Sequence, residues 1–181
     1  MSNDDAVYRT RHAVTRAVET LVRDAHGEAG FIDAPVFPGA KSIITKARPI
    51  PALQAAIKVR DIAAGHIRRA ITDVRGGGSS WAELAATLGL DSDDHRWAAE
   101  KAYDYAKGPQ PSAEEQERDF LALARWRDAR IYWTCGTCDA HVTDHGPYDP
   151  HPEDQEQGHA DDCTRHAAAV AAYQRSVEED W

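Results

Sequence analysis

Three cysteines and a histidine in the last third of the chain stand in the order C-x2-C-x20-H-x3-C, at Cys135, Cys138, His159 and Cys163. Thiolate sulfur and imidazole nitrogen are the ligands that zinc takes in tetrahedral sets of four, commonly a Cys-x2-4-Cys turn joined by a second pair from elsewhere. His159 and Cys163 are one helical turn apart at the head of an alanine-rich stretch, so they share a face if that stretch is a helix. These are all the cysteines of the protein. A complete set of four leaves no position open for a substrate, which points to a structural role for zinc. Other readings stay open: His141, His145, His151 or His166 could replace His159, or the thiols could be idle. A catalytic zinc would instead keep three protein ligands and a water, with Asp139, Asp144, Asp161 or Asp162 as base.

The string W-T-C-G-T-C at 133–138 also superficially resembles a thioredoxin site, but that site opens a helix after a strand. After Cys138 the chain runs D-A-H-V-T-D-H-G-P-Y-D-P-H-P-E-D, which is rich in turn residues and poor in helix formers. The stretch 132–173 instead resembles Cys-Cys-His-Cys zinc fingers of the hairpin-then-helix kind, which implies a small ββα-like module. The gap of 20 residues is longer than in the compact nucleic-acid-binding fingers. A module of this size buries too little apolar surface to fold alone. A structural zinc supplies about 10–16 kcal/mol in finger peptides.

The elements that must position this module read as helices. Apolar residues recur at helical spacing from Ala6 to Ala25, with Asn3 or Asp4 as cap and Gly27 and Gly30 as the stop. Between Phe31 and Pro51 lie three prolines, and the stretch reads as an irregular connection with a short extended piece near Ser42–Thr45. A second helix follows Pro51, with Leu53, Ala56, Ile57, Ala64, Ile67, Ile71 and Val74 along one side, and ends at Gly76-Gly77-Gly78. Ser80-Trp81-Ala82-Glu83 is a capping box that opens a short helix ended by Gly89. After Gly108-Pro109-Gln110-Pro111, a linker, a second capping box at Ser112–Glu115 opens a helix expected to run to about Arg130, with Phe120, Leu123, Ala124 and Trp126 packed on the body.

The string S-W-A-E-L-A-A-T-L-G-L at 80–90 resembles the first helix and turn of helix-turn-helix DNA-binding domains. Ala85 takes the small position where the helices cross, Gly89 the turn, and Leu90 the anchor into the core. The resemblance implies a second helix from about Ser92 to Lys107, with Trp97, Ala98, Ala102 and Tyr105 inward and Arg96 and Lys101 available to DNA. Its opening, Asp91-Ser92-Asp93-Asp94, suits a helix N-terminus but repels phosphate.

Charge divides the chain unevenly. The first 80 residues carry 12 Lys/Arg against 8 Asp/Glu, whereas the remaining 101 carry 9 against 22, giving the overall net charge of −9. A polyanion would meet the first half, through Lys41, Lys46, Arg48, Lys58 and Arg60, and through Arg68 and Arg69 further along. The zinc module, with its acidic loop at 146–154 and acidic end at 177–181, should avoid phosphate and meet a protein or a second copy of the chain.

No phosphate loop, H-E-x-x-H or serine elbow occurs, so the chain reads as non-enzymatic. No run is long and apolar enough to span a bilayer, and no export signal opens the sequence, which predicts a cytoplasmic protein with no membrane partner.

The expected architecture is mainly α. A helical bundle with a helix-turn-helix-like unit fills 1–107, a linker and connecting helix 108–131, and the zinc module 132–181. The expected function is a DNA-associated, transcriptional type of regulator. Its rival is a protein-interaction adaptor in which the helix-turn-helix shape only solves a packing problem.

Overall fold

In a computed structural model the chain is described over residues 3–90 and 95–179. It is mainly helical with two small antiparallel sheets, and it divides into two compact units, Met1–His66 and Ile67–Trp181.

The first unit opens with α1 (Asn3–His26), so both residues expected to cap it, Asn3 and Asp4, lie inside the helix. A tight 3-10 turn at Gly27–Gly30 leads into β1 (Phe31–Pro35), which pairs with β2 (Ile43–Ala47) from Phe31↔Ala47 to Pro35↔Ile43. The irregular connection expected over 31–51 is therefore a hairpin. Val22, Phe31 and Ala55 form the small core, with Val18, Leu21 and Ala47 against it.

The long helix α2 (Pro49–Gly76) begins in this unit and ends in the second. Of the apolar stripe expected to be buried, Ile71 alone among the large side chains is enclosed, while Leu53, Ile57, Ile67 and Val74 are exposed. Helical spacing shows that those residues share a face, but a face is buried only where another element covers it.

The second unit contains α3 (Trp81–Thr87) and α4 (His95–Lys107), packed side by side. The capping box forms as expected: the Ser80 hydroxyl accepts from the Glu83 amide, and the Glu83 carboxylate accepts from the Ser80 amide. Ala85 is buried, Leu90 packs on the core, and Gly89 takes φ +66°, the left-handed region that favours glycine. The acidic stretch Asp91–Asp94 lies outside the described residues.

The inner face of α4 holds Ala98 and Ala102 as expected but not the two aromatic residues expected there. Ala98, Ala99, Ala102 and Tyr103 are buried, whereas Trp97 is 60% and Tyr105 38% exposed. Rotation toward Tyr103 brings its hydroxyl within 2.9 Å of the Asp144 carbonyl, to which it donates, so a polar ring end finds a partner inside the core.

The single helix expected from Ser112 to about Arg130 is two: α5 (Ala113–Arg118) and α6 (Ala122–Asp128). Asp119 breaks it. Its backbone is extended, its carboxylate accepts from the Leu121 amide and pairs with Arg125, and its carbonyl accepts from Ala122. A short acidic side chain thus offers the backbone an alternative to the helical ladder. Phe120, at the break, is 83% exposed and does not pack on the body as expected.

The remainder is a three-stranded sheet of β3 (Ile131–Thr134), β4 (His141–Asp144) and β5 (Glu156–Gln157), followed in sequence by α8 (Thr164–Glu179), with α7 (Pro152–Gln155) between β4 and β5. One apolar cluster joins Trp81, Leu84 and Ala85 of α3 and Ala98, Ala102 and Tyr103 of α4 to Ile131, Trp133, Cys135, Val142 and Cys163. The helix pair and the Cys/His segment thus share a core, where the sequence suggested boundaries at 107 and 131. Among the described residues, no helix is long and apolar enough to cross a membrane.

Candidate metal centre

Cys135 closes β3, and the chain reverses at once. The Cys135 amide donates to the Ala140 carbonyl, and the Asp139 amide to the Cys135 carbonyl. Asp139 is the one non-glycine among the described residues with positive φ, +56°, which an aspartate tolerates better than most residues. The turn presents Cys135 and Cys138 on one side. It docks by backbone on the end of α2, where the Gly136 amide donates to the Gly76 carbonyl at 2.8 Å. A Cβ on Gly76 would stand 2.5 Å from the Thr134 carbonyl oxygen, so this approach needs glycine.

The second ligand pair comes from the other end of the module. His159 precedes α8 and Cys163 sits at its head, where the Cys163 carbonyl accepts from the Ala167 amide. All four donor atoms lie within 4.8 Å of one another. The Cys135 and Cys163 sulfurs are 3.9 Å apart, and His159 Nδ1 stands 3.5 Å from Cys163 Sγ and 3.8 Å from Cys138 Sγ. Tetrahedral coordination with metal–sulfur bonds of about 2.3 Å and a metal–nitrogen bond of about 2.0 Å puts sulfurs about 3.8 Å apart and sulfur about 3.6 Å from nitrogen. The cluster therefore has the dimensions of a closed S3N site.

Three of the competing histidines are engaged elsewhere, and the fourth, His166, stays beside the cluster and forms a second possible group with Glu156 and His159. His141 approaches the Thr134 hydroxyl, His145 Nδ1 accepts from Arg130 Nε at 2.8 Å, and His151 Nδ1 accepts from the Glu153 amide at the start of α7. His166 stacks on His159, 4.5 Å between ring centroids.

The electrostatics favour thiolate at Cys138 and Cys135 and oppose it at Cys163. Cys138 is pulled down to about 6, first by the Ala160 amide and then by His159. Burial works against ionisation of Cys135, but the amides of Thr137 and Cys138 outweigh it and its thiol is lowered. Cys163 is raised by its burial. Arg165 adds a positive charge, its guanidinium 3.9 Å from Cys135 Sγ and stacked over the Trp133 ring at 4.5 Å.

Behind the four residues lies a buried polar chain that sequence reasoning did not reach. His159 Nε2 is 2.9 Å from Glu156 Oε2, which leaves Nδ1 facing the sulfurs. Glu156 pairs in turn with Arg75 and with Arg165; burial pushes its carboxyl up, but Arg75, the His159 hydrogen bond and Arg165 together hold it below the usual range. Arg75, 4% exposed, donates from Nε and Nη2 to Asp144, which is fully buried. Asp144 also accepts from the Trp81 and Trp133 indoles and from the Gly146 amide. With all these donors on it, Asp144 has no vacancy for a water to be activated, which removes it as a base for a catalytic metal.

Such a carboxylate behind a ligating imidazole fixes its tautomer and orientation, and loss of such partners costs metal affinity about 10–100-fold. Glu156→Gln should therefore weaken metal binding by about that factor while the fold persists at saturating metal, as competition with a chromophoric chelator would measure.

The residues proposed from sequence to meet DNA divide between the two units. Lys41, Lys46, Arg48, Lys58 and Arg60 belong to the first unit, and Arg68, Arg69, Arg96 and Lys101 to the second. Arg48 donates to the Phe31 carbonyl, Arg60 pairs with Asp61, and Arg96 bridges Glu100 and the Tyr148 carbonyl. Lys101 is exposed on α4, between Trp97 and Tyr105 at i, i+4 and i+8. Comparison with known protein families, with curated proteins and with solved structures gives no match.

Proposed function

We propose that the chain is a non-enzymatic, DNA-associated regulator in which a structural zinc, held by Cys135, Cys138, His159 and Cys163, keeps the α3–α4 pair in a fixed shape. The observation that carries the zinc reading is the closed set of four donors at tetrahedral spacing, with an imidazole oriented from behind by Glu156. Zinc bound there would act as a cross-link that draws β3, the Cys turn and the head of α8 into one core.

What supports a nucleic-acid role is the stripe Trp97, Lys101 and Tyr105 on the solvent side of α4, a cation between two aromatic rings. A ring can stack on a base or lie against a sugar, and a lysine can neutralise phosphate. The resemblance of 80–90 to helix-turn-helix domains points the same way. The metal assay is elemental analysis of protein purified without chelator, with about one zinc per chain expected.

The DNA assay is affinity for duplex DNA against salt concentration. A steep negative slope of log K on log salt is expected, and Lys101→Ala should lower its magnitude by about one. A slope near zero would exclude phosphate contact and leave the second reading, a protein-interaction adaptor. That reading is favoured by the acidic balance of the chain, −9 overall, and by the exposed indole of Trp97, a side chain typical of protein-binding hot spots.

A further inference from the structure

The first unit has too little interior for its size. Among its described residues the buried apolar side chains are Val22, Phe31 and Ala55, while Val7, Val14, Ile43, Ile50 and Leu53 are among the large apolar residues left in solvent. A domain of some 60 residues is marginal even with a full core, so this one needs apolar cover from outside itself.

Its helix α1 is about 36 Å long at 1.5 Å per residue, and Val7, Val14 and Leu21 recur on it at heptad spacing along one face. Leu21 and Ala25 line one side of an open groove of about 450 Å3, whose other side is formed by Pro51, Ala55 and Ile57 of α2, with His26 and Lys58 at the rim. Val7 and Leu21 are equidistant from Val14.

We infer that this face pairs with the same face of a second copy of the chain, the two α1 helices running antiparallel about a two-fold axis at Val14. In that arrangement Val14 meets Val14 of the other copy, and each Val7 enters the other copy's groove beside Leu21. A two-fold interface must be self-complementary, and a knob and a groove placed symmetrically about one residue satisfy that condition. Charge agrees. The first turn of α1 carries Asp4 and Asp5, and antiparallel pairing sets them against Lys58 of the other copy's groove; the last turn adds little, since Arg23 pairs with Glu28 and Asp24 stands beside it. Helix dipoles are also opposed in that arrangement. A core this small requires its cover whenever the chain is folded, and a second copy is the partner always present where the chain itself is made.

The test uses the full chain in sedimentation equilibrium. A mass twice the 19.9 kDa of one chain is expected at about micromolar concentration. Val14→Glu places two carboxylates on the axis and should raise the dissociation constant at least about 100-fold. Val14→Ala should raise it about tenfold, and because alanine favours helix more than valine, that loss cannot come from helix fraying. Asp5→Lys and Lys58→Glu should each weaken the dimer, and together they should restore it in part.

A monomer at about 100 μM would overturn the proposal. So would a dimer indifferent to both Val14 variants, or one abolished by Glu178→Lys in α8, which would place the contact on the acidic end of the chain. Metal content should be the same in every variant, so failure here is separable from failure of the zinc reading.

Discussion

Stripping the metal should unfold the whole of Ile67–Trp181 in one transition, including α3 and α4. Cys135 and Cys163 are themselves members of the apolar cluster that contains Trp81, Ala85, Ala98 and Tyr103. Removing the ion leaves three thiols, at least one inclined to ionise, crowded around an imidazole in that core. The cross-link lost is worth about 10–16 kcal/mol in finger peptides, against a typical domain stability of about 5–15 kcal/mol. Hydrogen exchange is the decisive measurement. Amides of 81–87 and 95–107 should lose protection together with those of 131–144 when a strong chelator is added, and the fluorescence of Trp81 and Trp133 should shift to the red. Retained protection in α3 and α4 after complete metal loss would show that the helix pair folds independently, with a boundary near residue 107. Cys163→Ser should reproduce the unfolding, and His151→Ala, which removes a cap on α7 and a ring contact with Tyr173 but no member of the cluster, should not.

The second large effect is expected at Asp144. Its carboxylate is fully buried and holds Arg75, two indoles and the Gly146 amide. Asp144→Ala leaves the guanidinium of Arg75 in the interior with Glu156 as its remaining anionic partner, and it strands two indole N–H groups. Breaking a buried pair by removing one member costs about 3–5 kcal/mol, because the surviving charge is uncompensated. In urea unfolding of the zinc-saturated protein, the midpoint should fall with little change in slope. The double variant Asp144→Leu with Arg75→Met should be less damaging than Asp144→Ala alone, since it removes both charges. A loss below about 1 kcal/mol for Asp144→Ala would mean that the pair is solvated in solution rather than buried.

The range of the forces involved sets how much was legible in the sequence. Both capping boxes are written within four residues, Ser80–Glu83 and Ser112–Glu115, and both form. A box opens a helix without setting its length. The expected helix to Arg130 stops at Asp119, where a competing local bond wins over helical spacing. For α4, periodicity placed Ala98 and Ala102 correctly on the inner face, but Trp97 and Tyr105 are outside it and Ala99 and Tyr103 inside. Trp97 is the more apolar residue and Tyr103 the buried one, because Tyr103 has a carbonyl, that of Asp144, waiting for its hydroxyl.

The sequence by itself picked out the four residues that the structure brings together as a possible metal site: ligand chemistry admits few side chains, and the spacing of a Cys-x2-Cys turn and an i, i+4 pair is set by local geometry. Which of five nearby histidines completes the set was decided by tertiary structure, since Arg130, Thr134 and the Glu153 amide engage three of the others. Tertiary structure alone also brought Arg75, 69 residues away in sequence, onto Asp144, and so placed the helix pair and the Cys/His cluster in one core. No local pattern records such a contact. Its energy is the attraction of two charges, strengthened where water is excluded and set against the cost of desolvating them, and that balance depends on every element that closes over the pair.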